Sequence, residues 1–359
     1  MLALRLHPDR ELRLHDEPVP EPGPGEVLVA VRAVGLCGSD RHWLMDGGIG
    51  DALLEAPLVL GHEFAGEVAA GPRRGQRVAV DPAVSCGACE PCRTGDPNLC
   101  LDMRFAGHGR TDGALREYLA WPETSLYPIS DRIDDAGGAL VEPLAVAIHG
   151  LDLARLGDGA TVGVIGCGPI GLMLVALSRA AGAMAIVATD PARHRLDAAT
   201  AMGATSVVEA TESDEDGRAV LAATGSRGLD VVFEVSGEAA AVECAIAAAR
   251  PGGRVVLVGI PPDDRTSFSA SVARRKGLTL KLSRRSTPGT FERAVRLAEA
   301  GAMDLASLVS LRVPLADGAR AFESLVRRDG LKAIVEPAPG GPPHRAADRP
   351  GTPAPCRSS

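Results

Sequence analysis

The sequence predicts an α/β protein in two parts, a β-rich domain followed by a doubly wound parallel sheet. Three observations predict it. Residues 1–35 alternate apolar and polar positions around the Pro/Gly-rich stretch 18–26, which is antiparallel hairpin grammar. Residues 162–190 read as a strand, a glycine turn, a helix and a second strand. From 191 to 282, short β-branched runs alternate with segments of helical length, the pattern of parallel strands joined by crossover helices.

Composition sets the outer limits. The 359 residues are enough for two domains of ordinary size. Hydrophobic residues make up 45% and aromatics only 3%, so the core must be built mainly of Ala, Val and Leu. Net charge is −8 and the arginines are scattered, which argues against nucleic acid or an anionic membrane as partner. The N-terminus lacks a basic segment leading into a long apolar run, and no uninterrupted apolar stretch is long enough to span a bilayer. Four of the eight cysteines crowd into residues 86–100, which suits metal binding better than a disulfide framework. The expected location is the cytoplasm.

Taken in order, the hairpins of 1–35 lead to Cys37, Gly38, Ser39, Asp40 and His42, and then to Gly61, His62, Glu63 and Gly66. Cys37 and His62 offer a thiolate and an imidazole, a donor pair that suits zinc. Cys86, Cys89, Cys92 and Cys100 follow in C-x2-C-x2-C-x7-C spacing within one Gly/Pro-bent loop. Four thiolates there can close a tetrahedral, structural zinc site, leaving no position for substrate. An iron–sulfur cluster also takes four thiolates, but the wider gap before Cys100 and the β-rich surroundings favour zinc. Residues 114–121 alternate as a strand. Asp134 or Asp135 is placed to cap a helix running through Glu142 towards Gly150.

In the second part, 162–165 is a buried strand, and Gly166, Gly168 and Gly171 follow in G-x-G-x-x-G spacing. The first glycine permits the tight turn, the second lets a pyrophosphate approach, and the third lets helix 172–181 pack against the strand. That helix N-terminus turns free N–H groups towards phosphate. Asp190, ending strand 185–189, lies where a carboxylate takes both ribose hydroxyls, which points to NAD; Arg193 and Arg195 are the residues that would accommodate NADP instead. Helix 192–202, strand 206–208, a polar stretch at 212–217, strand 229–235, helix 238–249 and strand 254–260 continue the alternation, with a turn expected at 251–253. Ligands sit at the carboxyl ends of such strands, so Val258, Gly259 and Ile260 are expected on the nicotinamide side. Strand 279–282, the amphipathic helix 290–300, helix 316–327 and a final strand around 333–335 complete the fold. Residues 337–359 are Pro/Gly-rich with almost no large apolar side chains, the composition of a disordered tail carrying Cys356 as a free thiol.

The motifs around Cys37, around His62 and Glu63, the four-cysteine lobe and the later glycine turn fall in the order of the zinc-dependent medium-chain dehydrogenases, which residues 1–336 resemble. The stretch 139–149, with Glu142 before Pro143, is similar to the polyol branch, the sorbitol and xylitol dehydrogenases; threonine dehydrogenases share Glu142-Pro143. The resemblance implies a GroES-like catalytic domain at 1–148 with a structural-zinc lobe at 84–102, a Rossmann domain at 149–284, and a return to the first domain at 285–336. It implies a catalytic zinc on Cys37 and His62 with Glu63 as third ligand, or Glu63 as a carboxylate that orients His62. Glu142 stands near the metal as an alternating ligand, a holder of water or a substrate contact. Ser39 and His42 match the hydroxyl and imidazole that pass the alcohol proton to solvent; their alternative is to cap a helix starting near Asp40. Gly166, Gly168, Ile170, Gly171, Asp190, Arg195, Val258, Gly259 and Ile260 are the implied cofactor contacts, Arg195 at the adenosine ribose. Arg284 and Arg285 lie near the place where polyol dehydrogenases carry an arginine facing substrate hydroxyls, although the aromatic that often follows is replaced by Ser286, Thr287, Pro288 and Gly289. Residues 67–81 are shorter than the corresponding hairpin of relatives, with Gly71 and Gly75 keeping a turn. The implied activity is oxidation of a small-molecule secondary alcohol to a ketone by a homodimer or homotetramer. The alternatives are another alcohol, threonine or an aldose as substrate, or a nucleotide-binding structural protein without catalysis.

Overall fold

The β-branched runs of the second half pair in parallel because a helix carries the chain back across the sheet between most of them. The computed structural model describes residues 1–211, 215–262 and 264–337. Part of the polar stretch at 212–217 and nearly all of the tail, residues 338–359 with Cys356, lie outside them. Among the described residues, the parallel sheet has six strands in the order Ser206–Glu209, Ala185–Asp190, Thr161–Ile165, Leu229–Glu234, Ala249–Leu257 and Thr279–Leu282. Val164 lies between Ala188 and Phe233 in register. Strand order reverses at Thr161–Ile165, which opens a crevice at the carboxyl ends of the strands.

The first half closes a different sheet. Strand Glu26–Gly35 pairs antiparallel with Glu63–Val68 on one side and with Lys332–Glu336 on the other, so the end of the described chain inserts beside its beginning. Val309–Pro314 extends that edge in parallel with Lys332–Glu336. Arg77–Val80 and Leu126–Pro128 continue the opposite edge, and Tyr118–Pro122 also pairs with Glu26–Gly35. The predicted hairpin at the start is present as Leu2–Leu6 against Leu12–Asp16. Trp43, Phe64, Trp121 and Phe322 fill the core of this half. The short connection at 67–81 closes through Gly71 and Gly75, both at positive φ, with Gly75 N–H donating to the Val68 carbonyl at 2.9 Å.

Helix Val141–Ala154 joins the halves and packs against Pro169–Ala180 and Pro288–Glu299. Asp134 caps the short helix Asp135–Ala139 just before it, accepting the Gly137 N–H at 2.7 Å. The boundary expected at 148/149 thus falls inside one continuous helix. Pro288–Glu299 lies on that helix, and the chain rejoins the first sheet only at Val309–Pro314. The turn expected at 251–253 is absorbed into strand Ala249–Leu257, where a register shift takes up the extra residues. The strand expected at 114–121 is assigned only from Tyr118; before it, Leu115 N–H donates to the Leu60 carbonyl and Leu4 N–H to the Leu115 carbonyl, tying two sheets together. Helix Ala270–Lys276 has too few apolar residues to show in the sequence pattern. No helix among the described residues is long and apolar enough to cross a membrane.

Candidate active site

Helix Gly38–Asp46 begins as strand Glu26–Gly35 ends, and its first turn organises the cluster around it. Cys37 is the N-cap residue, and the fully buried Asp40 accepts the Cys37 backbone N–H at 2.8 Å, the reciprocal half of a capping box. The capping is therefore done by Cys37 and Asp40, which leaves Ser39 and His42 free of that task. The other Asp40 oxygen stands 3.6 Å from His62 Nδ1, so Nε2 is left facing Ser39 Oγ at 3.3 Å. His42 pairs through Nδ1 with Asp46 at 2.7 Å.

Cys37, His62 and Glu63 each offer a ligand atom, all within 4.8 Å of one another. Glu142 is buried at the start of helix Val141–Ala154 and is not part of that trio; burial pushes its carboxyl up to about 8, against the pull of His62. Glu63 is held by Lys332, whose Nζ lies 2.8 and 2.7 Å from its two oxygens and 2.9 Å from the Leu36 carbonyl. A Cβ on residue 35 would come within 2.3 Å of the Glu63 carboxylate, so Gly35 makes the room. Soft and borderline donors of this kind suit zinc, and acids gathered in a buried space against one lysine are balanced by a divalent cation. The residues fit such an ion.

The four-cysteine lobe fits a second one. Cys89 Sγ lies 3.4 Å from Cys92 Sγ and 3.8 Å from Cys100 Sγ, near the edge of about 3.8 Å of a tetrahedron with Zn–S bonds of about 2.3 Å. Backbone N–H groups of Cys86, Ala88 and Cys89 point at sulfur, at 3.2 to 3.4 Å. Donors of that kind favour the thiolate, and backbone hydrogen bonds from Leu101 and Cys92 hold the Cys89 thiol down to about 6.

The opposite wall is the glycine turn. Gly166 adopts φ +103°, a Cβ on Gly171 would sit 2.0 Å from the Gly166 carbonyl oxygen, and a Cβ on Gly168 would meet open space. Gly168 is the N-cap of Pro169–Ala180 and has no side chain to cover the helix N–H groups, the arrangement that receives a phosphate. Asp190 accepts the N–H of Cys167 and of Ala192, both at 2.9 Å. Arg195 lies 3.9 Å from Asp190 and donates to the Gly330 carbonyl at 3.1 Å. A Cβ on Gly259 would be 2.1 Å from the Gly237 nitrogen, which accounts for a glycine between Val258 and Ile260.

One cleft of about 480 Å³ joins the two walls. Cys37, Ser39, His42 and Glu63 line it from one side, and Gly166, Gly168, Ile170, Asp190, Arg195, Val258, Gly259 and Ile260 from the other. Arg285 stacks 4.2 Å over the Phe105 ring, which itself lies 5.4 Å from His62. Burial lowers the Arg285 guanidinium to about 10. Asn98 in the cysteine lobe donates to the Arg284 carbonyl at 3.0 Å and faces His149 at 3.5 Å, tying lobe to second domain.

The zinc-binding dehydrogenase family model matches residues 169–300, and the alcohol dehydrogenase GroES-like domain model matches residues 23–131. Sorbitol dehydrogenase of Bacillus subtilis (strain 168) is 35% identical over 345 residues, 94% of this chain and 97% of that protein. The chain belongs to the zinc-dependent medium-chain dehydrogenases. Among solved members, L-idonate 5-dehydrogenase from Escherichia coli superposes with a TM-score of 0.85 at 28% identity, covering 93% of this chain and 97% of its own. Alcohol dehydrogenase TADH from Thermus sp. ATN1 does so with a TM-score of 0.84 at 29% identity, covering 94% and 100%. This dehydrogenase is thus an oxidoreductase with a GroES-like and a Rossmann domain, of a family that uses zinc and a nicotinamide cofactor.

Sequence reasoning missed Lys332 and the role of Asp40. Each left a signal: a single lysine opening the apolar final strand, and an acid three residues after Cys37, the spacing of a capping box. The stacking of Arg285 on Phe105 left none, because the two lie far apart in the chain.

Proposed function

We propose that this dehydrogenase oxidises a secondary alcohol of a polyol, of the sorbitol or xylitol kind, to the ketone, with NAD as hydride acceptor. The observation that carries the reading is the cleft that sets Cys37, His62 and Glu63 against the 166–171 turn and Asp190. The identity to Bacillus subtilis sorbitol dehydrogenase supports the polyol, and so does Arg285, a guanidinium stacked on Phe105 with N–H donors for hydroxyl oxygens. Zinc on Cys37, His62 and Glu63 would supply Lewis acidity to the alcohol oxygen, and the nicotinamide a place for the hydride. Asp40, 3.6 Å from His62 Nδ1, offers that ring nitrogen a carboxylate and so favours the orientation in which Nε2 faces Ser39. Ser39 takes the alcohol proton and His42, one turn along the same helix face, leads it to solvent. Glu142 serves as a substrate contact beside the trio. Cys86, Cys89, Cys92 and Cys100 hold a structural zinc rather than an iron–sulfur cluster.

Asp190 supports NAD over NADP, because a buried carboxylate repels a 2′-phosphate and Arg195 already spends its charge on it. A homo-oligomer is supported by the outer strand Thr279–Leu282, whose outer edge has no partner strand among the described residues and whose Leu282 is 75% exposed. The seven cysteines among the described residues, five of them zinc ligands in this reading, form no disulfide with one another, which supports a reducing compartment, the cytoplasm.

The test is turnover of a panel of sorbitol, xylitol, threonine and simple alcohols with NAD and with NADP. Polyol oxidation with NAD preferred is the expected outcome. Turnover of threonine alone would overturn the polyol, and binding of NAD and zinc without turnover of any alcohol would overturn catalysis.

A further inference from the structure

The parallel sheet carries a second cavity, of about 360 Å³, at the amino ends of its strands, the end away from the cofactor crevice. Pockets that hold small ligands begin at about 300 Å³. Asp230, Arg250 and Thr279 line it near the starts of strands Leu229–Glu234, Ala249–Leu257 and Thr279–Leu282. Four arginines, Arg155, Arg227, Arg250 and Arg254, share its lining with two carboxylates, Asp158 and Asp230. Asp230 is already committed. It pairs with Arg227 at 2.9 Å and with Arg250 at 2.6 Å, and it accepts the Thr161 N–H and hydroxyl at 2.8 and 2.7 Å. Arg254 is held by the end of helix Val141–Ala154, its Nη1 donating to the Leu153 and Ala154 carbonyls at 3.2 and 2.8 Å, while its Nε is buried without a partner. Arg155 ends that helix at φ +48°, a position that favours glycine. Among the described residues, neither Arg155 nor Arg254 has a carboxylate within ion-pair reach. A guanidinium is an expensive group to leave so, since its donors are strong and its charge permanent.

We propose that this cavity binds a phosphate dianion, free or borne by a small molecule, at a site separate from the catalytic cleft. Guanidinium forks match the paired oxygens of phosphate. Three of them are set before any ligand arrives, Arg254 by the helix carbonyls and Arg227 and Arg250 by Asp230. A phosphate monoester carries close to two negative charges at neutral pH, which offsets the two arginines that lack a carboxylate. The site shares an element with the cleft: Glu142 lies at the other end of helix Val141–Ala154, about 18 Å along it at about 1.5 Å per residue.

The experiment is calorimetric titration of the full chain with inorganic phosphate, with glucose 6-phosphate and with citrate, at one ionic strength, with and without saturating NADH. Wild type is compared with Arg155→Gln, Arg254→Gln and Asp158→Asn. Both phosphate probes are expected to bind wild type whether or not NADH is present, and the tighter of them identifies the source of the group. Loss of one charge-assisted contact predicts that their Kd rises about 10-fold or more in Arg155→Gln and in Arg254→Gln. Asp158→Asn, which removes a negative charge from the lining, is expected to lower it. Arg155 is exposed and makes no contact that holds the fold, so its variant carries the test should Arg254→Gln loosen the helix end. Absence of binding by both phosphate probes would overturn the proposal, and so would an unchanged Kd in Arg155→Gln. Phosphate that NADH displaces would belong to the glycine turn instead, and binding of citrate alone would assign the cavity to carboxylates; either result would overturn it too.

Discussion

Lys332→Met tests the least ordinary feature of the site. Each of the three ammonium protons has an acceptor: the two Glu63 oxygens at 2.8 and 2.7 Å and the Leu36 carbonyl at 2.9 Å. The side chains are 3% and 1% exposed, so water cannot replace the lost partner. Removing the lysine strands a buried carboxylate, a change that costs about 3–5 kcal/mol when one member of a buried pair is deleted. Glu63→Gln strands the ammonium at a similar cost. The double variant loses both charges and should cost far less than the sum, giving a coupling energy of about 2 kcal/mol or more. Both tryptophans, Trp43 and Trp121, are buried in the first domain, so urea unfolding followed by their fluorescence, at one buffered zinc concentration, reports on this half. Costs that add to within about 0.5 kcal/mol would refute the coupling, and with it the argument that Lys332 holds Glu63 in place.

The glycine turn separates stability from binding. Gly168→Ala meets no neighbour and should leave the melting temperature unchanged while abolishing NADH binding, whereas Gly171→Ala, with its Cβ 2.0 Å from the Gly166 carbonyl oxygen, should cost about 1–3 kcal/mol as well. Equal effects of the two would sink the division of roles. Cys37→Ser and Cys86→Ser should each lower zinc per chain by one, the first with folding kept and activity gone, the second with the lobe more open to protease; an unchanged metal count in either removes that site. Asp81, whose carboxyl accepts the Ala83 N–H at 2.9 Å, is pushed up from 3.8 to about 6 by burial. The folded state therefore binds more protons than the unfolded one across that window, and this contribution to stability falls as pH rises through it. Asp81→Asn keeps the acceptor without the charge, so it should stabilise by up to about 3 kcal/mol near neutral pH and by little near pH 4; an equal gain at both would contradict the assignment.

What the sequence made legible is what lies close together along the chain. The cysteine lobe, the 166–171 turn and the Cys37–Asp40 turn each set their geometry within a few residues, so spacing alone located them. The parallel sheet was legible because Val162, Val164 and Ile165 form a run that only a strand buried on both faces tolerates. Contacts across the chain were not. Lys332 meets Glu63 from the far end of the sequence, and Arg285 reaches Phe105 from the second domain; periodicity says which face a residue takes, not what it meets there. The 251–253 segment failed for another reason. Pro251 and two glycines signal a turn, and only the neighbouring strand decides whether such residues become a bulge.

The pairing of Glu26–Gly35 with Lys332–Glu336 has a consequence for how the protein is made. A ribosome delivers the chain from its N-terminus, and domains that are continuous in sequence fold as they emerge. The second sheet, contained within residues 161–282, is complete while the first still lacks two strands. Until Lys332 has left the exit tunnel, Glu63 has no counter-charge and the sheet beneath Cys37 has an open edge. The first domain, though translated first, is finished last, and assembly of the Cys37, His62 and Glu63 cluster waits for Lys332. A chain stopped before Lys332 would be expected to keep its dinucleotide sheet and lose the cluster it faces.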